Sequence, residues 1–314
     1  MLLVAGGNPN QCYNGCSPVH AAIENGHTEC LKLLLDAGGD PNKCYNDWSP
    51  IYVAARMNNV ECIKLLLAAN CNVNQEINTS VSLVYVATLF GNDECLEVLL
   101  DAGGDVNQCI ITGLFPMGAS PIEFAIENDR INCLKLLLDA KGDVNQCDKD
   151  RGTPLNFAAM KGHPECLKVL LDAKGDANKC NLKGASPMSI ATENDHIECI
   201  KLLLAAGGIV NKCVNADTSP IFIAVKNNRT NCLKLLLDAG GNVNKYDAKR
   251  CTPLYFAARK GYTECIKLLL DAKGDINICN MEDMSPLHVA TMFDHVECIK
   301  LLQDAAARVT LHPE

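Results

Sequence analysis

The chain has 314 residues, of which 48% are hydrophobic and only 5% aromatic, and its net charge at pH 7 is −9. The acidic balance and the lack of any dense run of Lys or Arg argue against nucleic acid as a partner. No apolar run approaches the roughly 18 residues of a membrane helix, so no membrane insertion is expected. The 19 cysteines occur in a chain with enough hydrophobic residues to form a core, which favours a reducing, intracellular compartment, most simply the cytoplasm.

The first residues match the tail of a repeat. The opening MLLVAGGNPNQC overlays LLLDAGGDPNKC at residues 33–44, and it lacks the basic start of a signal peptide. A beginning in mid-repeat predicts an apolar face without a partner in the first layer. Either a preceding part of a larger protein is missing, or the first residues fray.

One module then repeats nine times, marked by a cysteine that follows Glu or Asn. The marker cysteines are Cys30, Cys62, Cys95, Cys133, Cys166, Cys199, Cys232, Cys265 and Cys298. Seven of the eight spacings are 32 or 33 residues, and the spacing between Cys95 and Cys133 is 38. The regular period predicts a repeat architecture with one insertion.

Each module opens with Ser or Thr followed by Pro, except that Leu83 replaces Pro in the third copy. A hydroxyl that caps the first N–H groups, followed by Pro, predicts the start of a helix. Four residues after Pro comes an Ala in every copy, as at Ala158, which predicts close approach between neighbouring helices. Gly, Asn or Asp, residues that tolerate a left-handed turn, then end this first helix.

A second helix follows, with a broad apolar face. In residues 29–36, ECLKLLLD, the polar positions share one stripe, which predicts burial on most other sides. Glycines such as Gly38 and Gly39 end it, and an Asn follows in each copy. We interpret this Asn as a turn residue that bonds local backbone groups.

This pattern resembles the ankyrin repeat. In residues 151–163, RGTPLNFAAMKGH, the main departure from the family pattern is Asn156 where His is common, whereas His20 and His288 keep that His. The resemblance implies an all-α solenoid of about nine stacked helix pairs with projecting β-hairpin-like loops. It also implies extended surfaces that bind a protein partner.

We therefore predict a single ankyrin-repeat array over residues 1–314, monomeric in solution. It comprises a partial repeat at 1–12, nine helix pairs from 17 to 303, and a loop insertion around 109–118. The last repeat departs from the pattern: Gln303 replaces the third Leu, and alanines at 305–307 replace the glycine turn. These changes predict a polar cap at the end of the array.

The cysteines form two ladders. The marker cysteines occupy a position where small buried hydrophobes are expected, and equivalent residues of packed repeats lie about 8–10 Å apart, too far for a disulfide or a shared zinc. The second ladder lies in the loops and is predicted to be more exposed; its members are Cys12, Cys44, Cys109, Cys147, Cys180, Cys213 and Cys279. No cofactor or metal is expected.

No catalytic motif is present: the chain has no G-x-S-x-G, no Walker-type loop and no H-E-x-x-H. Four of the seven histidines, His27, His163, His196 and His295, share one slot after the first helix, which indicates a structural role. The sequence predicts a protein that is not an enzyme.

The partner-binding residues are expected where the repeat does not dictate the side chain. The candidates are large or aromatic groups at loop tips, at the ends of the first helices and in the insertion. They are Tyr13, Tyr45, Trp48, Arg56, Met57, Leu89, Phe90, Ile111, Leu114, Phe115, Met117, Met292 and Phe293. The apolar insertion either folds back over a neighbouring repeat or grips a partner beside Leu89 and Phe90.

We predict a non-catalytic scaffold or adaptor that binds another protein of unknown identity through its inner (first) helices and loop tips. One alternative is a thiol-rich protein that stores metal or responds to redox change, suggested by the cysteine content. Another is the substrate-recognition part of a ubiquitin-ligase adaptor. A third possibility is hydroxylation of the turn asparagines, for which Asn107 and Asn145 resemble sites.

Overall fold

The computed structural model describes residues 6–74, 81–108, 120–147, 152–212, 214 and 218–311. Within these ranges the chain is all helical, and three isolated β-bridges take the place of strands. The helices are α1 (Pro18–Glu24), α2 (Thr28–Asp36), α3 (Pro50–Arg56), α4 (Val60–Ala68), α5 (Leu83–Phe90), α6 (Asp93–Asp101), α7 (Pro121–Glu127), α8 (Ile131–Asp139), α9 (Pro154–Lys161), α10 (Pro164–Asp172), α11 (Pro187–Glu193), α12 (Ile197–Ala205), α13 (Pro220–Lys226), α14 (Thr230–Asp238), α15 (Pro253–Lys260), α16 (Thr263–Asp271), α17 (Pro286–Met292) and α18 (Val296–Leu311). The predicted all-α fold of stacked helix pairs is confirmed.

The chain divides into two compact units, unit 1 over Met1–Lys149 and unit 2 over Asp150–Glu314. In unit 1 the first helices α1, α3, α5 and α7 pack side by side in that order, and the second helices α2, α4, α6 and α8 form a parallel layer. Unit 2 repeats this arrangement, with α9, α11, α13, α15 and α17 in one layer and α10, α12, α14, α16 and α18 in the other. Each helix therefore packs mainly against its own partner and its neighbours in the same layer.

Capping explains where the first helices begin. In all nine, the Ser or Thr before the helix is extended, and its side chain accepts from the backbone N–H three residues on. Leu83 does not disturb this, because Ser82 Oγ still accepts from the N–H of Tyr85 at 3.1 Å. The helix start depends on the hydroxyl more than on the proline.

The turn after each first helix is left-handed in every copy, as the sequence predicts. Besides the four glycines, this turn is formed by Asn58, Asp129, Asp195, Asn228 and Asp294, all with positive φ. At Gly162 and Gly261 a further constraint applies, since a Cβ atom would meet the imidazole of His196 or His295. These two histidines donate from Nε2 to the carbonyls of Met160 and Arg259, at 3.2 and 3.1 Å, which supports their structural role.

The core lies between the two layers. The Ala of each first helix is fully buried in eight copies and 5% exposed at Ala22. The second helices bury two apolar side chains and a cysteine on the same face, for example Cys232, Leu233 and Leu236, all fully buried. A buried Leu of this kind stabilises the fold by about 1.5–3 kcal/mol relative to an exposed one.

The last helix differs from its predicted extent. α18 continues to Leu311, past residue 303, where the repeat pattern places its end. The alanines at 305–307 replace the glycine turn, and Ala is the strongest helix former, so nothing in the sequence stops the helix there.

The recurring asparagine bonds beyond its own turn. Its side-chain oxygen accepts from a backbone N–H in the turn of the next repeat, at 2.7–3.1 Å. The asparagines with this contact are Asn10, Asn42, Asn74, Asn107, Asn178, Asn211 and Asn244. The local role predicted from sequence is therefore incomplete, because the amide joins neighbouring repeats within each unit.

Replacing Asn178 by Ala is expected to lower the free energy of unfolding of unit 2 by about 1–2 kcal/mol. Its amide accepts from Ile209 N–H at 2.7 Å and donates to the carbonyl of Gly207 at 3.2 Å, and both contacts would be lost. Urea denaturation measures the change. The control is Asn227→Ala, whose amide donates within the described chain only to the carbonyl of Ile223 in the same repeat. Equal losses would contradict an inter-repeat role.

Candidate functional site

The first two loop tips are tight hairpins that carry aromatic residues. Tyr13 and Cys16 exchange two backbone hydrogen bonds of 3.0 Å, as do Tyr45 and Trp48. The two central residues of each hairpin have positive φ, which is the geometry of a type I′ turn. The predicted β-hairpin-like loops are thus present, and Tyr13 is 81% exposed at the first of them.

Trp48 is fixed by two side chains of α3. Its ring lies 4.2 Å from that of Tyr52, and the guanidinium of Arg56 lies 5.6 Å from the centre of the Trp48 ring. Tyr52 and Arg56 are four residues apart, on one face of the helix. The cluster leaves Trp48 half-buried and Arg56 exposed.

Tyr52 is a residue that the sequence analysis missed. Its position four residues after Trp48, in the first turn of α3, is a signal that could have revealed it. Burial raises the pKa of its hydroxyl, and the nearby charge of Arg56 acts in the opposite direction. Tyr52 therefore stays neutral, and its ring packs against the ring of Trp48.

The first loop and the second loop adjoin. The ring of Tyr45 lies edge-on to His20, with centroids 5.9 Å apart, and a Cβ atom on Gly15 would be 3.4 Å from this ring. His20 is fully buried, and its Nε2 donates to the carbonyl of Trp48 at 2.9 Å. The first repeat thus holds the loop that carries Trp48.

Unit 1 is expected to lose stability as the pH falls through the range in which an unfolded histidine takes up a proton, about pH 6.5. Burial lowers the pKa of His20 in the folded chain, so the unfolded state takes up the proton at a higher pH than the folded state does. The stability that neutral His20 gives to unit 1 is therefore complete above about pH 6.5 and declines below it. The measurement compares urea midpoints between pH 7.5 and 5 for the natural chain and His20→Gln, whose pH dependence should be flatter.

His288 provides the matched control for this prediction. It occupies the same repeat position in α17 but is exposed. Equal flattening of the pH dependence by His20→Gln and His288→Gln would contradict the role given to His20.

Three further predicted residues lie at the ends of adjacent first helices. Met57, after α3, is 45% exposed, and Phe90, the last residue of α5, is 46% exposed. Leu89 is half-buried, and its carbonyl accepts from Arg130 at 3.2 Å. Because α3 and α5 pack side by side, Met57 and Phe90 lie at equivalent positions about 8–10 Å apart.

The remaining predicted residues lie either in unit 2 or outside the described part of the chain. Met292 and Phe293 belong to unit 2, where they are 64% and 48% exposed at the end of α17. The insertion residues lie outside the described part of the chain; they are Ile111, Leu114, Phe115 and Met117.

Eight of the nine marker cysteines are buried, and several of them donate a hydrogen bond to the preceding repeat. The thiol of Cys133 donates to Asp93 at 3.0 Å, that of Cys95 to Asn58 at 3.1 Å, and that of Cys232 to Asp195 at 3.2 Å. Burial raises the pKa of Cys133 and Cys232 to about 12. Cys30 is an exception to the predicted burial: it is exposed, although the equivalent position in later copies contacts the preceding repeat.

Among the described residues, no three His, Cys, Asp or Glu side chains come together in a way that could hold a metal ion. Within the same ranges, no helix is both long enough and apolar enough to cross a membrane.

The stacked helix pairs, hairpin loops and exposed loop-tip aromatics define a helical repeat protein. The family model described as ankyrin repeats (3 copies) matches residues 1–77, 122–215, 155–247 and 221–312. The chain belongs to the ankyrin repeat family. No curated protein matches its sequence. Ankyrin repeats are typically non-catalytic and generally mediate binding to other proteins.

Proposed function

We propose that this protein is a non-catalytic scaffold that binds a protein partner through an aromatic surface of unit 1. This surface, named here the Trp48 surface, consists of Tyr13, Tyr45, Trp48, Tyr52 and Arg56. The observation that carries the proposal is the contact of the Trp48 ring with Tyr52 and Arg56 of α3, which fixes a half-buried Trp at a loop tip. Trp, Tyr and Arg are the residue types most enriched among binding hot spots.

The contacts around Trp48 favour binding because they fix its ring before a partner arrives. A side chain that is already ordered loses little conformational entropy on association. The two-residue hairpins restrict the backbone in the same way, and the bond from His20 to the Trp48 carbonyl anchors the loop. Met57 and Phe90 extend the surface with exposed apolar groups.

The charge of unit 1 suggests the nature of the partner. Residues 1–149 contain 8 Lys and Arg against 18 Asp and Glu. A long-range negative field attracts a basic or neutral protein surface and repels an acidic one. We infer a partner whose contact region carries positive charge around an apolar or aromatic group.

The proposal includes the parts of the chain that connect and surround this surface. We infer a single monomeric array over residues 1–314, with Ile111, Leu114, Phe115 and Met117 of the insertion extending the contact beside Leu89 and Phe90. A cytoplasmic location is part of the same proposal. The alternative of thiol chemistry is disfavoured by the burial of the marker thiols and their bonds to neighbouring repeats.

Replacing Trp48 by Ala is expected to weaken binding of the partner at least 30-fold, which corresponds to a hot spot of about 2 kcal/mol. The partner is first captured from a native lysate and purified, and its affinity is then measured by calorimetry. Trp48 is the only Trp in the chain, so binding to a partner without Trp should also change the intrinsic fluorescence.

Tyr246→Ala provides the control, since Tyr246 is a loop-tip aromatic of unit 2 and is 47% exposed. It should leave the affinity within about twofold. Unchanged affinity in Trp48→Ala and Arg56→Ala, with both variants folded, would falsify the proposed surface.

A further inference from the structure

The net negative charge of the protein comes from unit 1. Residues 150–314 contain 20 Lys and Arg against 19 Asp and Glu, so unit 2 is nearly neutral. Its second helices carry acidic residues in the repeat pattern, whereas two of its first helices end in exposed cations. These are Lys226 on α13, and Arg259 and Lys260 on α15, named here the basic stripe.

The repeat itself does not require cations at these positions. The residues equivalent to Lys226 and Arg259 in the repeats on either side of the stripe are Glu193 on α11 and Met292 on α17. A cation in the last turn interacts favourably with the helix dipole, but a Glu is tolerated at the same place. Within the described part of the chain, none of the three cations forms an ion pair. Their charged groups are therefore available to an incoming carboxylate.

The basic stripe lies beside aromatic groups. The ring of Phe256 is half-buried on the same face of α15 as Arg259 and Lys260, at spacings of three and four residues. Lys260 Nζ lies 5.9 Å from the centre of this ring, and the ring of Phe222 on α13 lies 5.4 Å from it. These contacts connect α13 and α15 into one surface.

An apolar end continues the surface onto α17. Phe293 stacks on His295, with centroids 6.1 Å apart and planes inclined by 17°. The Nε2 of His295 in turn donates to the carbonyl of Arg259 at 3.1 Å, so the apolar end adjoins the stripe. Met292 and Phe293 are 64% and 48% exposed, an unusual exposure for large apolar side chains next to one another.

We propose that this face of unit 2 binds an acidic protein segment that carries a large apolar side chain at one end. Carboxylates of the segment pair with Lys226, Arg259 and Lys260, and the apolar side chain packs on Met292 and Phe293. The exposed carboxylates of Glu193 and Asp294 border the site and limit the segment to the stripe between them.

A protein segment fits this face better than nucleic acid does. Of the residues that the structure describes, only three unpaired cations lie along this face. The face continues into apolar side chains, which offer no contact to phosphate. Nucleic-acid binding depends on releasing counterions from many phosphates, which a chain with a net charge of −9 opposes. The inference is independent of the Trp48 surface, since the two lie in different units.

The first test selects random 12-residue peptides displayed on phage against the full chain carrying Trp48→Ala, which removes the other proposed surface. The expected result is enrichment of Asp and Glu together with at least one large apolar residue. Selected peptides that are neutral or basic would overturn the proposal.

The second test measures the affinity of the most enriched peptide, labelled with fluorescein, by fluorescence anisotropy. Arg259→Glu with Lys260→Glu should weaken binding at least tenfold, and Met292→Ala with Phe293→Ala should also weaken it. The control is Lys168→Glu with Lys234→Glu, the same change of charge on exposed positions of α10 and α14. This control should stay within twofold, and circular dichroism should show all variants folded.

Three other results would count against the proposal. One is a control variant that weakens binding as much as the stripe variant does. Another is tighter binding of a labelled 20-nucleotide single strand than of the peptide through the same residues. The third is a concentration-dependent dimer in ultracentrifugation that Arg259→Glu with Lys260→Glu abolishes, which would make a second copy of the chain the occupant.

Discussion

Replacing Leu236 by Ala is expected to lower the free energy of unfolding of unit 2 by about 2–5 kcal/mol. Leu236 is fully buried on α14, between the two layers, and packing there leaves little room for the structure to close a cavity. Since neighbouring repeats contribute most of the stability of each copy, the loss should extend to α12 and α16, which pack on either side. Chemical denaturation followed by circular dichroism measures the change.

Leu182→Ala is the matched control. It removes the same atoms in the same unit, but Leu182 is 63% exposed in a loop, so its effect should stay within about 0.5 kcal/mol. Hydrogen exchange would locate the loss in Leu236→Ala at the second helices of the central repeats. Equal effects of the two substitutions would mean that the layer between the helices is not the core.

Ten thiols are expected to resist modification in the folded chain and to react once it is unfolded. They are Cys62, Cys71, Cys95, Cys133, Cys166, Cys199, Cys232, Cys251, Cys265 and Cys298, the buried members of the 17 cysteines described. A thiol reacts as the thiolate, and at pH 8 a pKa of about 12 leaves about a thousandfold less thiolate than the ordinary value of 9.0. Burial lowers the rate further by excluding the reagent.

The measurement is titration with a chromogenic disulfide at pH 8, before and after addition of denaturant. Seven described cysteines are exposed or half-exposed and should react in the folded state; they are Cys12, Cys16, Cys30, Cys44, Cys147, Cys180 and Cys279. Mass spectrometry assigns each modified site. Rapid modification of Cys133 or Cys232 in the folded chain would instead support the redox alternative.

The helix pairs were predictable from sequence because their signals are local. A Ser or Thr cap acts within three residues, a left-handed turn depends on one residue, and the apolar face of a second helix follows from its own spacing. Pro18, Leu83 and Gly91 could thus be assigned without knowledge of any distant contact. The extent of α18 was missed because the stop signal, a glycine, was absent and the alanines allow the helix to continue.

The candidate sites were predictable only in part. Trp48 was identified by residue type and Arg56 by its variable position at the end of a first helix, but the missing member, Tyr52, is recognised only when the loop folds back on α3. The basic stripe was hidden by the net charge of the whole chain, since two helices that are 33 residues apart in sequence bring Lys226 and Arg259 together.

The sequence by itself determined the repeat, the pairing of its helices and the membership of the ankyrin family, because each of these depends on spacing within one module. Only the tertiary structure decided which side chains connect neighbouring modules. The amide of Asn178, the thiol of Cys232 and the imidazole of His295 all bond atoms about 30–37 residues away. Such contacts depend on the register in which one repeat packs against the next, and that register is set by packing along the whole interface between the two repeats.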